Sequence, residues 1–72
     1  MARRVNGAAL KAIRKALGIP QDVLAYRVGL SNAQISRVER GISGTTDEVI
    51  RKLAAELGVT VDAITHPVAV PA

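Results

Sequence analysis

Glycines divide this chain into short segments, and the apolar residues of each segment recur with the spacing of a helix. Leu10, Ile13 and Leu17, for example, stand at intervals of three and four residues, which places them on one helical face. Glycine commonly follows the last residue of a helix, because it adopts the left-handed conformation without strain. The helices predicted in this way cover about 7–17, 21–28, 32–40, 46–57 and 61–65. No segment alternates like a strand, so we predict an all-α fold, a compact five-helix bundle.

Capping signals support several of these helix starts. Ser31 and Gln34 have the S-x-x-Q spacing of a capping box, in which each side chain bonds the backbone N–H of the other residue. Thr45 and Glu48 have the same spacing before the fourth helix. Pro20 suits the start of the second helix, because the first residue of a helix needs no acceptor for its N–H.

With 72 residues, the chain is long enough for one small domain, and it contains no cysteine to form disulfides. Tyr26 is the only aromatic residue, so the core must consist of Leu, Ile, Val and Ala. We predict a flexible basic N-terminal arm over 1–5, a single domain over 6–66 and a C-terminal tail over 67–72.

The positive charge is concentrated in the first part of the chain. Residues 1–40 contain eight Lys and Arg against two acids, a net charge of +6, and residues 41–72 contain two bases against four acids, a net charge of −2. This asymmetry is typical of a protein that faces a polyanion on one side, although ordinary surface charge would account for it equally well.

The segment from Pro20 to Arg40 predicts two helices joined by a tight turn. Ala25 allows the helices to approach closely, Gly29 provides the turn, and Ile35 packs the second helix against the first. These three residues have the spacing that a helix-turn-helix requires.

The chain resembles the lambda/434 repressor and Cro-type helix-turn-helix domains, also called the XRE family. The resemblance covers about residues 8–65, and its most specific part is Ile35-Ser36-x-x-Glu39-x-Gly41. The other matching segments are 21–25, 29–31 and 53–62. The resemblance implies a five-helix fold whose third helix enters the major groove of double-stranded DNA and reads bases with its first turns. It therefore implies a sequence-specific transcriptional regulator, Cro-like or repressor-like and of phage or prokaryotic origin, that acts by occupying an operator.

By position, the resemblance implies that the bases are read by Asn32, Ala33, Gln34 and Arg37. Arg37 can donate two hydrogen bonds to guanine O6 and N7, and Asn32 or Gln34 can pair with adenine. The Ala33 methyl group can pack on a thymine methyl group. The alternative is that these residues are only the solvated face of a helix.

Gln21 matches the phosphate-binding glutamine of the family, at a helix start whose N–H groups are natural phosphate ligands. Weaker candidates for phosphate contacts are Arg27, Arg40, Ser43, Thr45, Arg3 and Arg4. Arg3 and Arg4 are equally compatible with a disordered basic terminus.

The resemblance also implies structural roles. Arg14 and Glu39 stand where the family has an ion pair that joins helices 1 and 3. A domain this small usually works as a homodimer, at least on DNA, and reads a roughly palindromic operator with two helices about 34 Å apart. The dimer candidates are Ile42, Val59 and Ile64, each of which could equally belong to the core.

The chain departs from the family pattern at three places. Pro20 replaces a residue with a capping side chain, the loop 42–46 lacks Lys and Arg, and Ala63 stands where relatives often have Trp. These differences predict weaker phosphate contacts from the loop and thinner packing under the fifth helix.

We predict that the protein is not an enzyme and needs no cofactor, metal or small-molecule effector. Its one histidine, His66, precedes Pro67 in the tail, and no catalytic or metal-ligating set accompanies it. The alternative function is a protein-interaction module, such as an antitoxin or an antirepressor with the same fold. The N-terminus has no apolar run of a signal peptide, and no apolar segment is long enough to span a bilayer, so we predict a cytoplasmic protein without a membrane partner.

Overall fold

The computed structural model describes residues 4–66, which form four α-helices and one short 3-10 turn. In chain order, these elements are α1 (Gly7–Ala16), α2 (Gln21–Val28), α3 (Asn32–Glu39), α4 (Asp47–Leu57) and the 3-10 turn (Val61–Ile64). The all-α prediction agrees with these elements, but the five-helix count is not confirmed, because the fifth helical segment is a 3-10 turn. The chain leaves the helical conformation at Thr65, where φ is −129° and ψ is 155°, before a turn of α-helix can form.

Side-chain caps hold the starts of three helices. Asn6 accepts a hydrogen bond from the Ala9 N–H at 3.1 Å before α1, and Ser31 and Gln34 form both bonds of a capping box before α3. The capping box predicted for Thr45 and Glu48 is wrong. The extended residue before α4 is Thr46, whose hydroxyl accepts from the Val49 N–H at 3.2 Å.

The core is wholly aliphatic and draws on every element. Helix α2 packs against both α3 and α4, while α1 packs against α3 and the 3-10 turn. The buried hydrophobic residues are Leu10, Leu24, Ala25, Val28, Ile35, Val38, Ile50, Leu53, Ala54, Leu57 and Ile64.

Two apolar residues lie elsewhere than predicted. Leu17 was expected on the buried face of α1 but is 53% exposed, because α1 ends at Ala16 and Ile19 packs against the core instead. Ile64 was a dimer candidate but is 0% exposed, so it is a core residue of a single chain. Val59, another dimer candidate, is half-buried and packs against the same core.

Arg4 and Val5 belong to the folded unit, whereas they were predicted to lie in a flexible arm. Val5 forms an antiparallel bridge with Thr65, and the Arg4 carbonyl accepts a hydrogen bond from the His66 N–H at 2.8 Å. The predictions for residues 1–3, which include Arg3, and for residues 67–72 lie outside the described residues.

Gly7 marks the closest approach of α1 to α3. A Cβ atom on Gly7 would lie 2.2 Å from the Val38 carbonyl oxygen and 2.6 Å from that of Glu39. Only glycine fits here, so the start of α1 lies directly against the end of α3.

None of the helices in the described chain is long and apolar enough to cross a membrane.

Candidate nucleic-acid interface

The α2–α3 pair has a tight turn and a close helix contact. Gly29 ends α2 in the left-handed conformation at φ 77° and ψ 25°, and the Leu30 N–H then donates to the Ala25 carbonyl at 2.9 Å. Ala25 is buried between the helices, and its small side chain lets α3 pack against α2. The turn therefore fixes the direction in which α3 leaves α2.

Helix α3 has a buried face and an exposed face. Ile35 and Val38 are buried in the core, and Glu39 is buried at the end of the helix. The exposed residues of α3 include all the predicted base-reading positions, namely Asn32, Ala33, Gln34 and Arg37. The structure therefore leaves all four residues exposed, away from the buried face of α3.

Gln34 differs from the other three because its side chain already has a partner. Its Oε1 accepts a hydrogen bond from the Ser31 N–H at 2.8 Å, and the Ser31 hydroxyl accepts from the Gln34 N–H at 3.1 Å. A bidentate pair with adenine needs both the oxygen and the nitrogen of the amide. Gln34 Oε1 thus already accepts one hydrogen bond, while no bond of its Nε2 group is formed among the described residues.

A buried ion pair joins α1 to the end of α3. Arg14 Nε and Glu39 Oε2 are 2.6 Å apart, and Arg14 Nη2 donates to Glu39 Oε1 at 3.1 Å. Arg14 also donates from Nη1 to the Ile19 carbonyl at 2.9 Å. The side chains of Arg14 and Glu39 are 9% and 1% exposed, so this pair is part of the interior.

Gln21 extends this network to the start of α2. Its side-chain Nε2 donates to Glu39 Oε1 at 3.0 Å, which the sequence analysis missed. A glutamine at the first position of α2, in a chain with the Arg14–Glu39 pair, is the signal that could have predicted this bond. Pro20 provides no side-chain cap, and the Asp22 carboxylate accepts a hydrogen bond from the Val23 N–H at 2.9 Å. Among the described residues, the N–H groups of Gln21 and Asp22 are therefore the ones at the start of α2 that have no acceptor.

Apart from Arg40, the remaining phosphate candidates among the described residues lie at two places. Arg27 Nη1 lies 3.6 Å from Glu56 Oε2, which places it at the contact between α2 and α4. Arg4, Ser43 and Thr45 line a cleft of about 250 Å³ beside the loop between α3 and α4. Ile42, a dimer candidate, lies at the same cleft and is 66% exposed.

Arg40 is exposed at the end of α3, where its Nε donates to the Ser36 carbonyl at 3.4 Å. Within residues 4–66, no group of three His, Cys, Asp or Glu residues could hold a metal ion.

Two packed helices, joined by a left-handed glycine turn and followed by an exposed polar face on the second helix, define a helix-turn-helix protein. The chain belongs to the Helix-turn-helix family HTH_3, whose model matches residues 10–64. This is the XRE-type family of DNA-binding transcription regulators.

Solved structures agree with this assignment. The chain is similar to the P22 c2 repressor in complex with a synthetic operator, with 34% identity and a TM-score of 0.75 over 81% of this chain and 88% of that one. It is similar to the restriction-modification controller protein C.AhdI from Aeromonas hydrophila, with 33% identity and a TM-score of 0.74 over 79% of this chain and 86% of that one.

The clp gene regulator ClgR from Corynebacterium glutamicum is 31% identical, with a TM-score of 0.74 over 76% of this chain. The chain spans 58% of that relative. A sequence comparison with curated proteins returned no match.

Proposed function

We propose that the protein binds double-stranded DNA sequence-specifically and represses transcription by occupying an operator, as a Cro-like or repressor-like regulator. The observation that carries this proposal is the exposed polar face of α3, which is capped at Ser31 and anchored from behind by Ile35 and Val38. The likeness to the P22 c2 repressor, which was solved with a synthetic operator, supports the same reading.

In the proposed complex, α3 lies in the major groove. Arg37 donates to O6 and N7 of a guanine, Asn32 pairs with an adenine, and the Ala33 methyl group packs on a thymine. Among the described residues, no hydrogen bond or ion pair engages the side chains of Asn32 and Arg37, so both are free to bind bases. Gln34 contributes through its Nε2 group, since its oxygen serves the capping box.

Phosphate contacts orient the domain on the duplex without reading sequence. The backbone N–H groups of Gln21 and Asp22 serve this role at the start of α2, together with the N–H of the Gln21 amide that does not bind Glu39. Further contacts come from Arg27, Arg40, Ser43, Thr45 and Arg4, together with Arg3 from outside the described residues.

The proposed active form on DNA is a homodimer that reads a roughly palindromic operator. Ile42 is the dimer contact that the structure favours most, because a large aliphatic side chain is 66% exposed at the rim of a cleft. Val59 is a secondary candidate at the edge of the core.

The second candidate function is a protein-interaction module, such as an antitoxin or antirepressor. The observation that favours it is the exposure of Tyr26, the only aromatic residue, at 86%. An exposed tyrosine is a common anchor in protein–protein interfaces.

Salt dependence separates the two functions. We expect the domain to bind a labelled duplex, with affinity falling about a hundredfold between 50 and 200 mM salt if about four phosphates are contacted. Binding of a protein through apolar residues changes little over the same range. A duplex affinity that does not depend on salt would contradict the DNA-binding proposal.

A further inference from the structure

A cleft of about 260 Å³ lies beside the contact between the start of α1 and the end of α3. The close approach of Gly7 to the Val38 and Glu39 carbonyls brings these helix ends together. The hydrogen bond from the His66 N–H to the Arg4 carbonyl holds together two further residues that line this cleft. The cleft therefore has a fixed backbone frame formed by three separate parts of the chain.

Two guanidinium groups and one imidazole line this cleft, those of Arg4, Arg40 and His66, together with the side-chain amide of Asn6. Arg4, Arg40 and His66 are all exposed. In the described part of the chain, no acid pairs with any of them, and their side chains make one hydrogen bond, the long one of 3.4 Å from Arg40 Nε to the Ser36 carbonyl. An imidazole carries at least one N–H donor whether or not it is charged.

Glu39 is the one acidic residue that lines the cleft, and its charge is already compensated. Its carboxylate accepts hydrogen bonds from Arg14 and Gln21, and its side chain is 1% exposed. The free charge around the cleft is therefore positive. Arg40 also complements the dipole at the end of α3, but that effect needs only one cation and does not account for Arg4 and His66.

We propose that this cleft binds a phosphate group, held by the guanidinium groups of Arg4 and Arg40 and the imidazole of His66. Guanidinium groups form charge-assisted hydrogen bonds with phosphate oxygens, often two at a time. The proposal deepens the proposed function and partly rests on it, since a DNA backbone is one source of such a group. A free phosphate or phosphate monoester is the other source.

The direct test is a titration of the full chain with inorganic phosphate at pH 7. The backbone amide NMR shifts are recorded at each step, and chloride keeps the ionic strength constant. We expect saturable shifts at the amides of Gly7, Ala8 and Arg40. Arg40→Gln should weaken phosphate binding at least about fivefold, because a charge-assisted hydrogen bond is lost. His66→Gln should weaken it as well.

The matched control is Arg51→Gln, at an exposed arginine of α4 that does not line the cleft. This variant should bind phosphate like the unchanged chain. Dispersed amide spectra identify any variant that fails to fold. Equal phosphate affinity in Arg40→Gln and Arg51→Gln, or shifts that rise without saturation, would overturn the proposal.

A second titration identifies the source of the phosphate. If the cleft holds a DNA phosphate, a saturating duplex displaces inorganic phosphate from it. If the ligand is a free phosphate, both bind together, and either result supports the cleft as a phosphate site. The phosphate titration needs no DNA, so the two proposals can fail separately. A chain that binds duplex DNA but not inorganic phosphate would refute only this inference. A chain that binds inorganic phosphate but not duplex DNA would refute only the proposed regulator.

Discussion

Gln21 and Glu39 are joined directly, because the side-chain amide of Gln21 donates to the Glu39 carboxylate at 3.0 Å. Gln21 is the first residue of α2, and Glu39 is the last residue of α3. The bond therefore ties the start of the first helix of the helix-turn-helix to the end of the second. Since Glu39 also pairs with Arg14, the orientation of α3 depends on a carboxylate that does not itself reach solvent.

We expect Glu39→Ala to destabilise the domain by about 3–5 kcal/mol, because it leaves Arg14 buried without its partner. A domain of this size has only a few kcal/mol of net stability, so the melting temperature should fall sharply. The matched control is Glu56→Ala, which removes a partly exposed partner of Arg27 and should cost about 1 kcal/mol or less. Similar melting temperatures for the two variants would contradict the importance of the buried pair.

Gly7→Ala should destabilise the domain by about 1–3 kcal/mol, although alanine favours helices more than glycine does. The added methyl group would meet backbone atoms of Val38 and Glu39, which cannot move without displacing α3. Gly44→Ala is the control, because a Cβ atom there meets nothing within 4 Å. Urea unfolding of both variants tests this contact, and a neutral Gly7→Ala would mean that α1 and α3 lie further apart.

The two roles of Gln34 can be separated by substitutions at the capping box. Ser31→Ala should cost about 1 kcal/mol, because the Gln34 N–H loses its acceptor. Gln34→Glu retains an oxygen for the Ser31 N–H and should leave the melting temperature nearly unchanged. The added negative charge weakens binding to any duplex, so a larger loss on a selected DNA site than on random duplex, with stability retained, would show that the Nε2 group reads DNA. A loss of both thermal stability and DNA binding would assign Gln34 to capping alone.

Ile42→Ser tests the proposed dimer contact. We expect stability to stay the same, because Ile42 is already 66% exposed. Affinity for a duplex with two half-sites should fall at least about tenfold, because burial of an isoleucine on each protomer is lost. Leu17→Ser, at a similarly exposed leucine at the end of α1, should leave this affinity unchanged. An equal effect of the two variants would contradict a specific role for Ile42.

Local signals predicted the helices well because caps and glycine stops act within a few residues. The Ser31–Gln34 capping box and the left-handed Gly29 are where the pattern placed them. Thr45 and Thr46 both fit a cap, however, and in the structure it is Thr46 that caps α4. The 3-10 turn was predicted as an α-helix because the bridge between Thr65 and Val5 is a tertiary contact without a local signal.

In the candidate site too, some features follow from the local sequence and others from tertiary packing. The exposure of Asn32 and Arg37 follows from helical periodicity, because Ile35 and Val38 fix which face is buried. The burial of Ile64 and the bond from Gln21 to Glu39 depend on how the elements pack together. Side chains that are compatible with either a buried or an exposed position cannot be assigned to the core or to the surface until that packing is known.

The most direct test of DNA reading by α3 is selection of bound sequences from a random duplex pool, with the unchanged chain and with Arg37→Ala. The unchanged chain should recover an inverted repeat. Arg37→Ala should lose about 1–3 kcal/mol of specific binding and accept any base at one position of each half-site. Failure to enrich any sequence in dilute buffer, or an equal loss by Arg37→Ala on selected and random duplexes, would contradict base reading by this helix.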